Sequence, residues 1–95
     1  MLFHGERLDK IGFSDLCVIQ NPKEFCYGVD AVILADFAAR KEAGCIVDLG
    51  SGTGIIPFIL SHKTSASEIY GVEYQQDSVE RARRGVQLNG LEERV

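Results

Sequence analysis

Apolar positions along the chain switch between two periods, and the switches mark out its elements. Residues 6–20 are amphipathic over short distances: Leu16-Cys17-Val18-Ile19-Gln20 reads as a strand, with Lys10-Ile11-Gly12-Phe13 as its partner or as a turn. Asn21-Pro22-Lys23 breaks that pattern. Asp30 is a helix-capping residue type, and the helix predicted from Ala31 to about Arg40 sets Ala31, Leu34, Ala35 and Ala38 on one face, with Gly44 beyond its end. Cys45-Ile46-Val47 is a short apolar run leading into glycines, so a strand runs into a loop. Ile55-Ile56-Pro57-Phe58-Ile59-Leu60 then starts a helix, with Pro57 in its first turn, where a missing N–H costs nothing. That helix fades near Ser61-His62-Lys63, and residues 64–67 form a loop into a second β-type run, 68–74. Asp77-Ser78-Val79-Glu80 has capping-box spacing and opens a last helix, with Val79, Ala82 and Val86 as its buried stripe and Asn89-Gly90 as its stop.

Strands alternating with helices imply a parallel sheet with helices on its faces, and a ligand beyond the carboxyl ends of the strands. Asp48-Leu49-Gly50-Ser51-Gly52-Thr53-Gly54 falls at one such end and Glu73 at another. A glycine loop lets backbone N–H groups approach a ligand with no Cβ atoms in the way, and the helix N-terminus behind it favours an anionic group. Spacing then separates the nucleotide-type ligands. Dinucleotide binding asks for G-x-G-x-x-G, but the third glycine is Pro57 when counted from Gly52 and Ile55 when counted from Gly50. A P-loop ends in Gly-Lys-Ser/Thr, and no lysine lies between Lys41 and Lys63. Glu73 lies 19 residues beyond Gly54 and 23 beyond Gly50. In nucleotide-binding βαβ units an acid about 20 residues after the loop accepts hydrogen bonds from ribose hydroxyls, so Glu73 is the candidate ribose acceptor.

The 95 residues allow one small domain. Cys17, Cys26 and Cys45 form no C-x-x-C pair, which argues for reduced, buried thiols and a cytoplasmic setting. His4 and His62 have no second ligand at metal spacing, and no apolar run approaches the roughly 20 residues that cross a membrane. A net charge of −4 argues against a free-standing nucleic-acid binder. Arg81, Arg83 and Arg84 are expected on a solvated helix face, pairing with Glu80 and Asp77.

The D-x-G-x-G-x-G run resembles the first motif of the class I S-adenosylmethionine-dependent methyltransferases, whose ligand carries a carboxylate and no diphosphate. Taken with Gln20-Asn21-Pro22, the F-x-x-G-x-D-A-x-x-L-A-x-F stretch from Phe25 to Phe37, Gly71-Val72-Glu73-Tyr74-Gln75 and the run from Ala82 to Asn89, nearly the whole chain resembles the "small domain" group. Within it the resemblance is to the bacterial tRNA(Val) adenine-N6 methyltransferases, which modify the adenine just 3′ of the anticodon. This implies a Rossmann-like α/β fold. Residues 1–44 would be a hairpin and helix packing on the cofactor site, and 45–95 the first half of an S-adenosylmethionine-binding domain, ordered βαβα. Gly50, Ser51, Gly52 and Gly54 would contact the methionine part, Asp48 would order the loop, and Glu73 would hold the ribose. Tyr74 would pack near the adenine. Asp30 and its neighbours would close over the methionine end, a use that competes with Asp30 as a helix cap.

Amino methylation in this family uses an Asn-Pro-Pro-Tyr type motif at the end of the fourth strand. The prolines here are Pro22 and Pro57, and Asn21-Pro22 is followed by Lys23 and precedes the first cofactor strand. The chain ends where the third strand would begin, so it is expected to be the first half of a longer enzyme: tRNA the partner of the whole, the 95-residue chain inactive alone. A half-sheet would leave strand 45–50 with an open edge and uncover part of Phe58, Ile59 and Leu60, so self-association is also expected. Two other classes stay open. A nicotinamide-dependent oxidoreductase would want glycine at position 57, and a non-enzymatic nucleoside-binding module would fold and bind by itself.

Overall fold

The computed structural model describes residues 2–95. Strands β1 (Arg7–Lys10) and β2 (Cys17–Gln20) pair antiparallel, with Arg7 opposite Gln20 and Lys10 opposite Cys17. The partner of β2 therefore starts earlier than the Lys10-Phe13 run. Gly12 at φ 97° and Ser14 at φ 54° are left-handed, which makes the intervening segment a turn. Helix α1 (Val29–Ala38), strand β3 (Cys45–Leu49), helix α2 (Ile55–Lys63), strand β4 (Glu68–Val72) and helix α3 (Gln76–Leu88) follow. β3 and β4 run parallel, in register from Cys45 opposite Glu68 to Leu49 opposite Val72, and form a sheet separate from the hairpin.

Side chains alternate across the parallel pair. Ile46 and Ile69 point into the core formed by Ile55, Ile59 and Leu60 of α2 with Ala35 and Ala66. Gly71 lies on this face and leaves no room for a side chain, since an added Cβ would sit 2.7 Å from Ser51 Oγ and 3.6 Å from Pro57 Cγ. Phe58 fills the gap between α2 and α3: a Cβ on either Gly54 or Gly85 would lie 2.9 Å from its ring. Phe58, Ile59 and Leu60 are fully buried, contrary to the expectation that they lose cover. The uncovered apolar surface is instead the opposite face of the sheet, Val47, Leu49, Tyr70 and Val72, each at least half exposed, because both strands carry helices on one side alone.

Helix starts differ from the capping signals. The N-cap of α1 is Gly28, in extended conformation, and Asp30 lies within the first turn, where its charge complements the helix dipole. α1 turns Ala31, Val32, Ala35 and Ala39 inward and leaves Leu34 and Ala38 exposed, an i, i+4 row of alanines that lets it sit close on α2. Likewise α3 starts from Gln75 with no side-chain cap, so the Asp77–Glu80 capping box does not form.

The buried positions of α3 are Ser78, Arg81, Arg84 and Gly85, while Val79, Ala82 and Val86 are half-buried. Of the arginine cluster only Arg83 is solvated as expected. Arg84 forks onto Glu6 with both Nη–O distances at 2.6 Å, donates from Nε to Glu80 at 3.0 Å, and lies 3.9 Å over the Phe3 ring. Arg81 forks onto Glu24 at 3.1 Å. The Arg84 hydrogen bonds hold the Glu6 carboxyl down at about 2. Asn89 completes the attachment of the hairpin: its amide accepts the Cys17 N–H at 2.8 Å and donates to the Cys17 carbonyl at 2.7 Å, as a neighbouring strand would. Beyond α3, the Arg94 guanidinium caps α2 through the carbonyls of Ser61 and Thr64, and the Ile69 N–H donates to the Arg94 carbonyl at 2.7 Å. Of the cysteines, Cys45 is exposed rather than buried, and Cys17 and Cys26 are half-buried free thiols. No helix among the described residues is long and apolar enough to cross a membrane.

Candidate functional site

The loop from β3 to α2 owes its path to its glycines. Gly50, Gly52 and Gly54 have φ of 74°, 57° and 98°, values that other residues adopt only with strain. Their N–H groups, however, are engaged within the protein. Gly50 and Ser51 both donate to the Val72 carbonyl, at 2.7 and 3.0 Å, Gly54 donates to the Ser51 carbonyl at 3.0 Å, and Gly52 donates to Glu73 Oε1 at 2.8 Å. Free donors come next in the chain. The N–H groups of Thr53, Ile55 and Ile56 make no hydrogen bond among the described residues, as befits the first turn of a helix, and Pro57 adds no further orphan.

Thr53, Ile55 and Ile56 border a cavity of about 410 Å³ beyond the carboxyl ends of β3 and β4. Gly50 and Gly52 open onto it, and a Cβ added to either would meet nothing within 4 Å. Across from the loop stand Glu24, Phe25, Tyr27 and Asp30; the third side is Glu73, Gln75 and Ser78. A slightly larger depression, about 430 Å³, lies between β4 and α3 and mixes apolar side chains such as Val79 and Val86 with charged ones such as Glu68, Arg83 and Glu92.

Glu73 reaches the loop from the end of β4. Its Oε1 accepts the Gly52 N–H and its Oε2 accepts the Gln75 N–H at 3.0 Å, which leaves each oxygen a further acceptor site. The carboxylate is therefore fixed at the cavity wall and still able to take hydroxyl donors. Asp48 is half-buried on the α2 side of β3, with Oδ2 sealed from solvent and without a hydrogen-bond partner. Burial, and then the nearby Glu73, push its carboxyl above the usual value. No side-chain hydrogen bond ties Asp48 to the loop among the described residues, so geometry offers no support for the ordering role.

The sequence-derived residues thus come together in part. Gly50, Ser51, Gly52, Glu73 and Asp30 all border the cavity, while Gly54 is packed under Phe58 and borders the depression between β4 and α3 instead. Tyr74 is 99% exposed and borders a separate shallow depression with Gln76 and Glu80. Sequence reasoning missed Gln75 and Ser78, and it read Asn21-Pro22-Lys23 as a break in pattern without assigning a role to Glu24, which is part of the wall. The F-x-x-G-x-D stretch was the signal available for that wall.

The cavity thus combines free N–H donors at a helix N-terminus, which suit an anionic group, with an acid fixed beside the glycine loop, which suits hydroxyl donors. A family model described as "Methyltransferase domain" matches residues 40–95. The chain is 30% identical over 69 residues to the tRNA1(Val) (adenine(37)-N6)-methyltransferase of Tolumonas auensis, covering 72% of this chain and 29% of that protein. It is 40% identical over 52 residues to the ribosomal protein L11 methyltransferase of Caldanaerobacter subterraneus, covering 55% of this chain and 16% of that protein. The chain therefore spans less than a third of either relative. Among solved structures, M. jannaschii TYW2 in complex with AdoMet superposes with a TM-score of 0.78 at 13% identity, over 100% of this chain and 43% of that one. The fold is accordingly the Rossmann-like α/β fold expected from the sequence.

Proposed function

This chain belongs to the methyltransferase domain family, and we propose that it is the S-adenosylmethionine-binding part of a methyltransferase that acts on adenine N6 in tRNA. The observation that carries the reading is the pairing, across one cavity, of three unengaged N–H groups (Thr53, Ile55, Ile56) with the fixed Glu73 carboxylate. The N–H groups suit the carboxylate of the methionine moiety, and Glu73 suits the ribose hydroxyls. When bound, this cofactor supplies an activated methyl group on a sulfonium, so the transfer needs alignment more than acid–base help. The chain's own part is to hold and orient: the glycine loop gives the backbone its close approach, Glu73 sets the nucleoside end, and Phe25, Tyr27 and Asp30 border the cavity opposite. The tRNA1(Val) relatives support the nucleic-acid substrate. Arg81 and Arg84 are occupied by glutamates, so the grip on RNA is assigned to residues other than these two.

The test is calorimetric titration of the protein with S-adenosylhomocysteine. Gly52→Val forces a branched residue into φ 57° at the cavity wall, and Glu73→Ala removes both the hydroxyl acceptor and the acceptor of the Gly52 N–H. Each variant is expected to weaken binding by about tenfold or more, equivalent to about 1.4 kcal/mol. Unchanged affinity in both would overturn the assignment, and in an enzyme of the relatives' full length that contains this chain, methyl label appearing in protein rather than in N6 of tRNA adenine would overturn the substrate.

A further inference from the structure

One wall of the cavity is a strap, residues 21–28, that joins β2 to α1 without regular secondary structure. Such a segment keeps its shape only through the groups that grip it. Gln20, 3% exposed, accepts the Tyr27 N–H on Oε1 at 2.9 Å and donates from Nε2 to Asp9 at 2.6 Å, which draws the two ends of the strap together. A turn at Asn21, closed by the Glu24 N–H to the Asn21 carbonyl at 2.9 Å, presents Glu24 outward from the strap. There the two Nη atoms of Arg81 donate to its carboxylate, each at 3.1 Å. The Arg81 side chain is 7% exposed and that of Glu24 42%, so the guanidinium is the fixed member and the carboxylate the captured one. Arg81 also follows Ser78 by one helical turn, and α3 starts at Gln75, whose N–H is held by Glu73. One helix thus carries both the support of Glu73 and the anchor of the strap.

We infer that Arg81 is a positioning residue for cofactor binding: through Glu24 it holds the strap on α3, and so keeps Phe25 and Tyr27 opposite the glycine loop. Arg81 does not border the cavity among the described residues, and acts through Glu24. The inference rests on the cofactor reading above. It requires a two-pronged contact, because a single hydrogen bond fixes distance but leaves the strap free to swivel.

The experiment titrates S-adenosylhomocysteine into the unaltered protein, Arg81→Lys and Glu24→Gln. Lysine keeps a positive charge near Glu6, whose Oε2 lies 3.3 Å from Arg81 Nε, but loses the fork onto Glu24. Both variants are expected to bind about 3–10-fold more weakly, while the ligand-free melting temperature of Glu24→Gln stays within about 2 °C of the unaltered protein. Trypsin cleavage after Lys23 should quicken in Arg81→Lys with other sites unaffected, and saturating S-adenosylhomocysteine should slow it again; a merely structural role would quicken cleavage throughout. If Arg81→Lys does not fold, Glu24→Gln decides by affinity and trypsin cleavage after Lys23 together, because Glu24 itself borders the cavity: weaker binding without quicker cleavage overturns the inference. Affinity in Glu24→Gln equal to the unaltered protein's, or lost only in step with melting temperature, overturns the inference and leaves the cofactor reading standing. No binding by the unaltered protein overturns both.

Discussion

The two faces of the β3–β4 sheet are built from the same ten residues and have opposite fates. On one side, Ile46 and Ile69 meet α2, and the Phe58 ring is enclosed between Gly54 and Gly85 with no exposed surface. On the other, Val47, Leu49, Tyr70 and Val72 stand in solvent, and on α1 the row Val29, Ile33 and Phe37 is likewise 63–73% exposed. Monomeric proteins seldom leave contiguous apolar surface of this kind uncovered. The cavity belongs wholly to the finished side: its donors come from α2, its acid from the end of β4, and its far wall from the strap anchored on α3. The cavity and the bare face of the sheet are therefore separate regions of this chain, and packing around the first does not depend on cover for the second.

The comparison breaks most readily at Phe58. Phe58→Ala should cost about 3–5 kcal/mol, because it empties a fully enclosed site and removes the ring that α3 rests on. That is a large share of the roughly 5–15 kcal/mol that a whole domain has. Leu49→Ser on the opposite face, 79% exposed, should change stability by less than about 0.5 kcal/mol. Denaturant melts of both variants check this. A Leu49→Ser cost comparable with that of Phe58→Ala would mean that the bare face is covered in solution.

Cover is the next point to probe. With β3 unpaired on its outer edge and its outer face apolar, the 95-residue chain should associate with itself in sedimentation at increasing concentration. Lysines at positions 47 and 49 should shift it toward monomer, since like charges on two copies repel and edge lysines disfavour strand addition. A soluble monomer with a cooperative melt, from the unaltered chain, would show that the exposed side chains are tolerated as they stand.

What was legible in the sequence follows the same division. The glycine loop, Glu73 and the order of elements depend on residues close along the chain, where spacing and backbone preference act directly. Pro57 in the first turn of α2 and the stop at Asn89-Gly90 are of this kind. The arginine cluster was misread in part. Arg84 does pair with Glu80 as expected, but the other partners are remote: Glu24 is 57 residues from Arg81, and Glu6 is 78 from Arg84. Nothing in the helical pattern of α3 distinguishes an arginine facing water from one facing a buried glutamate. Asp30 and Asp77 failed as caps for a smaller reason, since Gly28 and Gln75 reach the required extended backbone first and place the acids inside the helices. Tyr74 follows Glu73 in sequence, but adjacency does not carry it to the cavity wall: it is fully exposed and borders a separate depression.

The smallest effect sharpens the comparison at Asp48, a charge placed on the finished side of β3. Burial and Glu73 raise its carboxyl, so the folded chain binds more protons than the unfolded chain between the ordinary value of 3.8 and the raised one. Stability contributed there falls as pH rises across that window, and above it the folded state carries a constant penalty. Glu6 runs the other way. Held at about 2 by Arg84, against an ordinary 4.5, it contributes stability that is present above 4.5 and lost as pH falls toward 2. Asp48→Asn should therefore stabilise the ligand-free protein at pH 7, with the gain shrinking as pH falls toward 4. Glu6→Gln should instead destabilise at pH 7, and that loss should also shrink in acid. Thermal melts of the two variants from pH 7 to pH 3 read both slopes in one series. A loss of stability in Asp48→Asn at pH 7 would mean that the sealed Oδ2 has a partner in solution, and that the finished side holds one more structural contact than its geometry displays.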